Sequence, residues 1–247
     1  MQPKVTLRGV RKSYGNGEAL PVIDGIDLSI EEGEILAIVG PSGCGKTTLL
    51  NIMAGFVAPD CGEVRVDERP VKPNKKGVLI SQQGSVFPWL TVRQNLMFGL
   101  NGAQRGDHVA TADHYASLVG LRGFETAYPY QLSGGMLKRV EFARALAVKP
   151  EILYMDEPFS ALDAQMSLRI RNELLNILQT VRKTVVLVTH DVEEAVHMAD
   201  RVAVLSLRPA RIQSVFTVDL PRPRALTTPS LQALRVAILR ELGVDHL

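Results

Sequence analysis

The 247-residue sequence has little cysteine, few aromatic residues and almost no net charge. Its two cysteines, Cys44 and Cys61, are too few for a disulfide framework in a chain of this length, which favours a reducing compartment. A formal net charge of +2 excludes the strongly basic surface of a typical nucleic-acid-binding protein, so no nucleic-acid partner is predicted. No apolar run approaches the roughly 18 residues of a membrane span, and residues 1–10 lack the apolar core of a signal peptide. A role at a membrane would need a partner that holds the chain there.

Apolar stretches separated by turns organise the chain. Hydrophobic residues make up 46% of it, and the continuous run Ile35–Val39 is typical of a strand buried on both faces of a parallel sheet. Strand patterns alternate with amphipathic helical patterns, which predicts an α/β core. Residues of about 88–150 lack strand patterns and predict an inserted helical lobe. The tail predicts a final helix capped by Thr228, with Pro229 at its first position. The other predicted strands are 22–30, 77–80, 152–155, 184–188 and 202–205.

A glycine-rich loop follows the strand Ile35–Val39 and opens a helix. Its residues match the pattern G-x-x-x-x-G-K-[ST] and are Gly40, Pro41, Ser42, Gly43, Cys44, Gly45, Lys46 and Thr47. Glycines let the backbone N–H groups point at phosphate oxygens, and the following helix N-terminus favours an anion. Lys46 is predicted to bind the β- and γ-phosphates, Thr47 to offer its hydroxyl to Mg²⁺, and Thr48 to assist at the phosphates. We interpret Cys44 as a small residue without a redox role.

Two adjacent carboxylates follow a second apolar strand. Asp156 is predicted to hold Mg²⁺ through water, and Glu157 to polarise the attacking water. Adjacent acids are also common by chance, but behind a phosphate loop they indicate nucleotide hydrolysis. Kinases, GTPases and helicases share this pair of motifs, so the class of NTPase stays open on these residues alone.

The string Leu132-Ser133-Gly134-Gly135-Met136 separates these classes. Ser133 is a good N-cap for the helix predicted after it, at Leu137–Ala147, and Gly134 and Gly135 leave backbone N–H groups bare at the start of that helix. This is a second anion-binding helix end. Together with the phosphate loop and the acidic strand, the string resembles the signature of the ABC (ATP-binding cassette) ATPases, and the resemblance covers nearly the whole chain.

The resemblance implies a fold, cofactors and an assembly. The expected fold is a P-loop NTPase core with an N-terminal antiparallel β region and an inserted helical subdomain, all in one ABC ATPase domain over 1–247 with a helical tail at about 222–247. ATP and Mg²⁺ are the implied cofactors. A homodimer is implied, in which each signature helix caps the γ-phosphate bound by the partner.

Further positions acquire roles only through this resemblance. Tyr14 is expected to stack on adenine, and His190 to sense the γ-phosphate. Gln82 is expected to contact Mg²⁺ and the attacking water, and it is preferred to Gln83 because it lies six residues before Pro88. The loop of residues 160–163 is expected to cross the dimer interface.

The resemblance also implies a membrane partner. Residues 87–90 are expected to border a groove for a transmembrane permease subunit. Segments 87–92, 130–136 and 205–212 resemble importers of the nitrate, taurine and alkanesulfonate type, whereas Ser160 and residues 137–139 depart from the commoner pattern. The implied location is peripheral, on the cytoplasmic face of the inner membrane, with an extracytoplasmic solute-binding protein as an indirect partner. An exporter cassette and a soluble non-transport ABC ATPase stay open as alternatives.

Overall fold

The computed structural model describes residues 3–15, 19–73, 76–100, 105–160 and 162–244. Across these residues the strands and helices follow one another in the order β1 (Val5–Tyr14), β2 (Leu20–Ile30), β3 (Ile35–Val39), α1 (Lys46–Met53), β4 (Cys61–Val66), β5 (Arg69–Pro70), β6 (Gly77–Ile80), α2 (Val92–Met97), α3 (Arg105–Leu118), α4 (Gly134–Ala147), β7 (Ile152–Asp156), α5 (Ala164–Val181), β8 (Thr184–Thr189), α6 (Val192–Met198), β9 (Arg201–Leu205), β10 (Ile212–Thr217) and α7 (Pro229–Glu241).

These elements form two compact units. The first comprises Met1–Asn74, Tyr154–Glu157 and Thr184–Leu247, and the second comprises Lys75–Leu153 and Pro158–Lys183. The predicted helical insert at about 88–150 falls inside the second unit, where α2, α3 and α4 pack on one another. The division of the chain into domains stays a prediction.

The N-terminal β region of the first unit is an antiparallel sheet with the strand order β2-β1-β4-β5. Strand β1 is central, and Leu7 lies opposite Leu28 of β2 and Val64 of β4. Alternate residues of β1 and β2 are buried, which gives the sheet one apolar face. The predicted antiparallel region is therefore confirmed.

A second sheet in the first unit has parallel strands at its centre. Its order runs β10-β9-β3-β8, with β10 antiparallel to β9, and continues to β7, whose residues Tyr154–Asp156 belong to this unit. Every residue of β3 and β8 is buried, and helices α6 and α1 pack against β3 and β8. Apolar runs buried on both faces give a rigid base, so the loops at the carboxyl ends of these strands start from fixed positions.

Strand β7 and the helix after the phosphate loop are tied together inside this unit. The hydroxyl of the buried Tyr154 donates to the carbonyl of Met53, the last residue of α1, at 3.0 Å. Burial raises the pKa of the Tyr154 hydroxyl well above its ordinary range, so it stays a protonated donor. This bond fixes α1 relative to the strand that carries Asp156.

The final helix has Thr228 at its N-cap and Pro229 at its first position, as predicted. The Thr228 side chain forms no capping hydrogen bond, and only its backbone carbonyl is used, accepting from the Gln232 N–H at 3.0 Å. Leu231 and Ile238 are buried where α7 packs on α6 and β10.

Within the ranges described, no helix is both long enough and apolar enough to cross a bilayer.

Candidate functional site

The glycine-rich loop spans the gap between the buried strand β3 and helix α1. Gly45 stands at the N-cap of α1 with φ +119°, in the left-handed region where side chains are strained. A Cβ there would lie 2.8 Å from Cγ1 of Val22 and 3.3 Å from the Val22 carbonyl. Strand β2 therefore backs the loop directly, and only glycine fits at this approach.

Lys46 forms hydrogen bonds with the phosphate loop. Its side chain is 6% exposed, and its Nζ donates to the carbonyls of Gly40 at 2.8 Å and Pro41 at 3.0 Å. A buried ammonium beside backbone N–H groups at a helix N-terminus is an anion site. Burial raises the pKa of the neighbouring Cys44 thiol, which disfavours the reactive thiolate.

Thr47 and Asp156 meet at the same end of the sheet. The Thr47 hydroxyl donates to Oδ1 of Asp156 at 3.2 Å, which brings an α1 side chain against the end of β7. Asp156 is 7% exposed, and this burial, reinforced by the neighbouring Glu157 carboxylate, raises its pKa. A desolvated carboxylate beside a hydroxyl is an oxygen donor pair that fits a hard cation such as Mg²⁺. The described residues hold no cluster of three or more acidic, histidine or cysteine side chains that could bind a metal ion.

Glu157 and His190 form a pair beside Asp156. Glu157 has φ +45°, an uncommon backbone conformation for a residue with a side chain, and its N–H donates to the Val188 carbonyl at 2.8 Å. Because β7 and β8 end at the same edge, its Oε2 reaches Nδ1 of His190 at 3.2 Å. The imidazole is 57% exposed and the carboxylate 17%, so both can reach a water molecule at the surface.

Tyr14 lies at the end of β1 in the first unit and is 44% exposed. Its ring has the Lys12 ammonium 5.4 Å from its centroid, and that ammonium is held by Asp60 at 2.7 Å. An accessible aromatic face is what stacking on adenine requires, so the role of Tyr14 stays a prediction that the geometry permits.

The serine–glycine signature lies in the second unit at the start of α4. The Ser133 Oγ accepts the Met136 N–H at 3.3 Å, so Ser133 is the N-cap, and the helix begins at Gly134, before the predicted residue 137. Ser133 and Gly134 are exposed, whereas a Cβ on the buried Gly135 would lie 2.7 Å from Sδ of Met166 in α5. A helix N-terminus favours an anion, and the nucleotide-binding role of this one stays a prediction.

Gln82 is exposed in the loop after β6, also in the second unit. The following residues are anchored to α4, since the Ser85 N–H donates to Oε1 of the buried Glu141 at 2.9 Å. Lys138 neutralises Glu141 through a buried ion pair at 2.8 Å. The loop that carries Gln82 is thus fixed to the signature helix, which the sequence did not reveal.

Residues 87–90 form a loop in which Pro88 and Trp89 are exposed and Phe87 and Leu90 are half-buried. Trp89 is 69% exposed, and its ring centroid lies 5.5 Å from that of Phe87. Asn95, which is fully buried, fixes this loop: its Oδ1 accepts the Phe87 N–H at 2.8 Å, and its Nδ2 donates to three carbonyls of the loop. The sequence analysis did not identify Asn95. The only feature that could have indicated its role is a polar amide at a buried position of α2, between the apolar positions Val92 and Leu96.

The structure brings Lys46, Thr47, Asp156, Glu157 and His190 together in the first unit, with Gly40–Gly45 around them. It places Gln82, Ser133, Gly134 and Gly135 in the second unit. Of the predicted interface loop 160–163, residue Ala161 lies outside the described residues. The roles of all these residues in binding and hydrolysis stay predictions.

A parallel α/β sheet, a phosphate-binding loop and an adjacent acidic strand end together define a P-loop nucleoside triphosphatase. Residues 23–160 match the ABC transporter family, and this chain belongs to that family. The family assignment and the predicted ABC ATPase fold are confirmed, and the chain is an ATP-binding subunit with ATPase activity.

Similar proteins agree with this assignment. An uncharacterized ABC transporter ATP-binding protein of Methanocaldococcus jannaschii is 46% identical over 98% of this chain and 92% of its own length. The aliphatic sulfonates import ATP-binding protein of Bacillus licheniformis is 40% identical over 96% of this chain and 93% of its own. The nitrate import ATP-binding protein of Synechocystis is 45% identical over 85% of this chain and 80% of its own.

Solved structures show the same fold. A dimeric ATP-binding cassette in a post-hydrolysis state, bound to ADP and Pi, superposes with a TM-score of 0.75 and 32% sequence identity. The match covers 88% of this chain and all of that one.

Proposed function

We propose that this chain is the ATP-hydrolysing subunit of an importer for nitrate, a sulfonate, taurine or a similar small solute. The single observation that carries the hydrolytic role is the pair Glu157 and His190, 3.2 Å apart and next to Asp156, which accepts a hydrogen bond from Thr47 of α1. The importer role rests on the similarity to the sulfonate and nitrate import proteins.

The chemistry follows from the side chains of the first unit. The loop amides and Lys46 bind and orient the triphosphate, because phosphoryl transfer needs positioning and neutralisation of charge. Glu157 accepts a hydrogen bond from the attacking water, and His190 keeps that carboxylate in place and contacts the γ-phosphate. Thr47 and Asp156 would hold Mg²⁺, which supplies further positive charge to the phosphates when it is bound.

The site is completed by a second copy of the chain. Ser133 and the N–H groups of Gly134 and Gly135 form an exposed anion-binding helix end, and we assign it to the γ-phosphate held by the partner protomer. The dimeric cassette bound to ADP and Pi supports this assembly. Hydrolysis is then tied to closure of the dimer, and closure and reopening move the membrane partner.

The partner is a transmembrane permease on whose cytoplasmic side the dimer sits peripherally. The exposed Trp89 and half-buried Phe87 provide an apolar surface for a helix of the permease. An extracytoplasmic solute-binding protein delivers the solute to the permease and does not touch this chain.

The test uses the Glu157→Gln variant of the full chain with ATP and Mg²⁺. We expect hydrolysis to fall at least about 100-fold while ATP still binds, so that the unhydrolysed nucleotide holds a dimer visible by size-exclusion chromatography with light scattering. Wild-type protein with ADP is the control and is expected to be monomeric. A Glu157→Gln variant that stays monomeric with ATP, even beside its permease, would contradict the shared site.

The importer role has a separate test. Proteoliposomes that contain the whole complex and its solute-binding protein are expected to take up labelled nitrate or alkanesulfonate when ATP is supplied at the face that carries this subunit. Movement of solute only in the opposite direction would identify an exporter.

A further inference from the structure

The loop between β9 and β10, residues 206–211, carries two arginines that none of the roles above uses. It belongs to the first unit, like the phosphate loop, and joins the two strands at the end of β9. Arg208 and Arg211 are both exposed, yet each is bound to a residue far away in the sequence. A flexible, solvated turn would leave both side chains unanchored.

Strand β2 holds this loop through its backbone. The Ala210 N–H donates to the Val22 carbonyl at 2.8 Å, and the Asp24 N–H donates to the Ala210 carbonyl at 3.0 Å. Val22 is also the residue that packs against Gly45 of the phosphate loop. The β9–β10 loop and the phosphate loop are therefore fixed to the same short stretch of β2.

Side chains reinforce the anchoring. The Arg211 guanidinium binds the Asp24 carboxylate, with Nε 3.0 Å from Oδ2, and this bond lowers the pKa of Asp24. Ser206 Oγ accepts the Arg211 N–H at 2.9 Å, which closes the loop on itself. Arg208 thus extends from a loop whose two ends are both fixed.

Arg208 reaches the phosphate loop. Its Nε donates to the Gly43 carbonyl at 3.2 Å, and its Nη2 donates to the same oxygen. Gly43 has φ +73°, so the carbonyl that accepts these bonds belongs to a residue in the left-handed conformation inside the phosphate loop. A Cβ at Gly43 would lie 3.5 Å from that guanidinium nitrogen, which shows how closely the arginine approaches.

The contact has a clear physical consequence. For the loop amides to point at an anion, carbonyls of the loop must find donors of their own. Lys46 supplies donors to Gly40 and Pro41, and Arg208 supplies two to Gly43. The guanidinium also adds a positive charge next to the phosphates, and its charge-assisted bonds are stronger than neutral ones.

We propose that Arg208 is a positioning residue for the triphosphate: it holds Gly43 in the conformation that binds phosphate and contributes to nucleotide affinity rather than to the chemical step. The proposal rests on the proposed phosphate-binding role of residues 40–47. Because the contact exists before and during reaction, it stabilises the ground state and the transition state equally.

The experiment measures ADP affinity and ATPase kinetics of the full chain with Arg208→Ala and Arg208→Lys. We expect Arg208→Ala to raise Kd for ADP and KM for ATP about tenfold, with kcat changed less than about twofold, since uniform binding affects KM alone. Arg208→Lys is expected to recover part of the affinity, because it keeps the charge but not the two-point contact.

Two controls separate the possible causes. Arg240→Ala removes an exposed arginine from α7 in the same unit and is expected to leave Kd and KM unchanged. The thermal unfolding midpoint without nucleotide is expected to be the same for wild type, Arg208→Ala and Arg208→Lys.

The outcomes are distinguishable from failure of the proposed function. Unchanged ADP affinity in Arg208→Ala, while Lys46→Ala has lost binding, overturns the role of Arg208 and leaves the phosphate site intact. Equal losses of nucleotide affinity in Arg208→Ala and Arg208→Lys, together with lowered unfolding midpoints, would mean that Arg208 only stabilises the fold. That result also overturns its role as a positioning residue. A wild-type chain that binds neither ATP nor ADP would instead defeat the proposed function.

Discussion

Backbone strain at a single residue orients the carboxylate assigned to hydrolysis. Glu157 adopts φ +45°, a conformation that costs on the order of 1–3 kcal/mol for a residue with a side chain. Its N–H bond to Val188 and its contact with His190 hold it there. The positive φ of Glu157 separates its carboxylate from that of Asp156. The Asp156 carboxylate contacts Thr47, and the Glu157 carboxylate contacts His190. This separation lets neighbouring acids perform different roles.

Asp156 shows the energetic cost of such a site. Because burial raises its pKa, the folded protein binds a proton in a pH range where the unfolded chain has already lost it. The free energy of unfolding therefore falls as pH rises through that interval and stays lower at every higher pH. The ionised Asp156 carboxylate therefore destabilises the fold at pH values above its raised pKa.

Replacing Asp156 by asparagine should remove this cost. At about pH 7, without nucleotide or metal, we expect Asp156→Asn to be more stable than wild type by on the order of 1 kcal/mol, because no charge is buried. The difference should shrink as pH is lowered through the raised pKa of Asp156, because the wild-type carboxyl then becomes protonated. Urea unfolding at several pH values measures it, and ATPase activity should be lost.

The matched control is Asp219→Asn, which changes an exposed carboxylate of the same unit. Its stability should follow wild type across the same pH range. If Asp156→Asn were less stable than wild type at neutral pH, the carboxylate would be stabilising and the assignment of a desolvated cation ligand would fail.

At the scale of an element, the N-terminus of α4 combines a structural task with a chemical one. Ser133 caps the helix through the Met136 N–H, and the same exposed end is assigned to the partner's γ-phosphate. Both tasks use the unpaired donors of the first helical turn. Substitutions that keep the cap but change the charge can separate them.

Ser133→Ala and Ser133→Asp are the pair that makes this separation. Ser133→Ala should lower the free energy of unfolding by about 1 kcal/mol through loss of the cap. Ser133→Asp should keep stability near wild type, since aspartate is a good N-cap, yet reduce ATPase activity at least about tenfold by repelling phosphate. Chemical denaturation and steady-state ATPase assays report the two effects, and an active Ser133→Asp protein would contradict the assignment.

The loop before α2 is an element fixed by one buried amide. Asn95 satisfies the N–H of Phe87 and three carbonyls of the loop, so that the loop keeps a single conformation although Trp89 is exposed. A fixed aromatic surface loses little entropy when a partner covers it. The fixed loop is therefore a suitable contact surface for a partner.

At the scale of the whole molecule, the prediction concerns coupling to transport. Trp89→Ala should leave ATP affinity and the ATPase activity of the isolated subunit unchanged, because the side chain is 69% exposed and outside the phosphate site. In the reconstituted complex, solute uptake should fall at least about tenfold, as expected when a central aromatic residue is removed from an interface. Parallel ATPase and uptake measurements test this.

Phe56→Ala is the control for Trp89→Ala, since Phe56 is an exposed aromatic residue, 55% accessible, in the first unit. Uptake should stay at the wild-type level. Equal losses of hydrolysis and uptake in Trp89→Ala would contradict a specific role in coupling.

The sequence by itself determined the central strands, the phosphate loop and the signature. Ile35–Val39 appears with the predicted bounds, because a continuous apolar run between turn residues has few alternatives to a buried strand. Gly77–Ile80 also has the predicted bounds, but it is an edge strand in which only Ile80 is buried. The glycine-rich loop and the acidic end of β7 could likewise be predicted, because both depend on local residue types. Thr228 and Pro229 also stand at the predicted N-cap and first position of α7, but the local pattern does not specify whether the Thr228 hydroxyl forms a hydrogen bond there, and it forms none.

Only the tertiary structure decided which distant residues share a site. The pairing of Glu157 with His190, the three carbonyls held by Asn95 and the reach of Arg208 to Gly43 all follow from strand order and loop anchoring. Arg208 lies 165 positions from Gly43, and no local periodicity carries information over that separation. Hydrogen bonds are short and directional, so these contacts exist only once the folded sheet has placed both partners within about 3 Å.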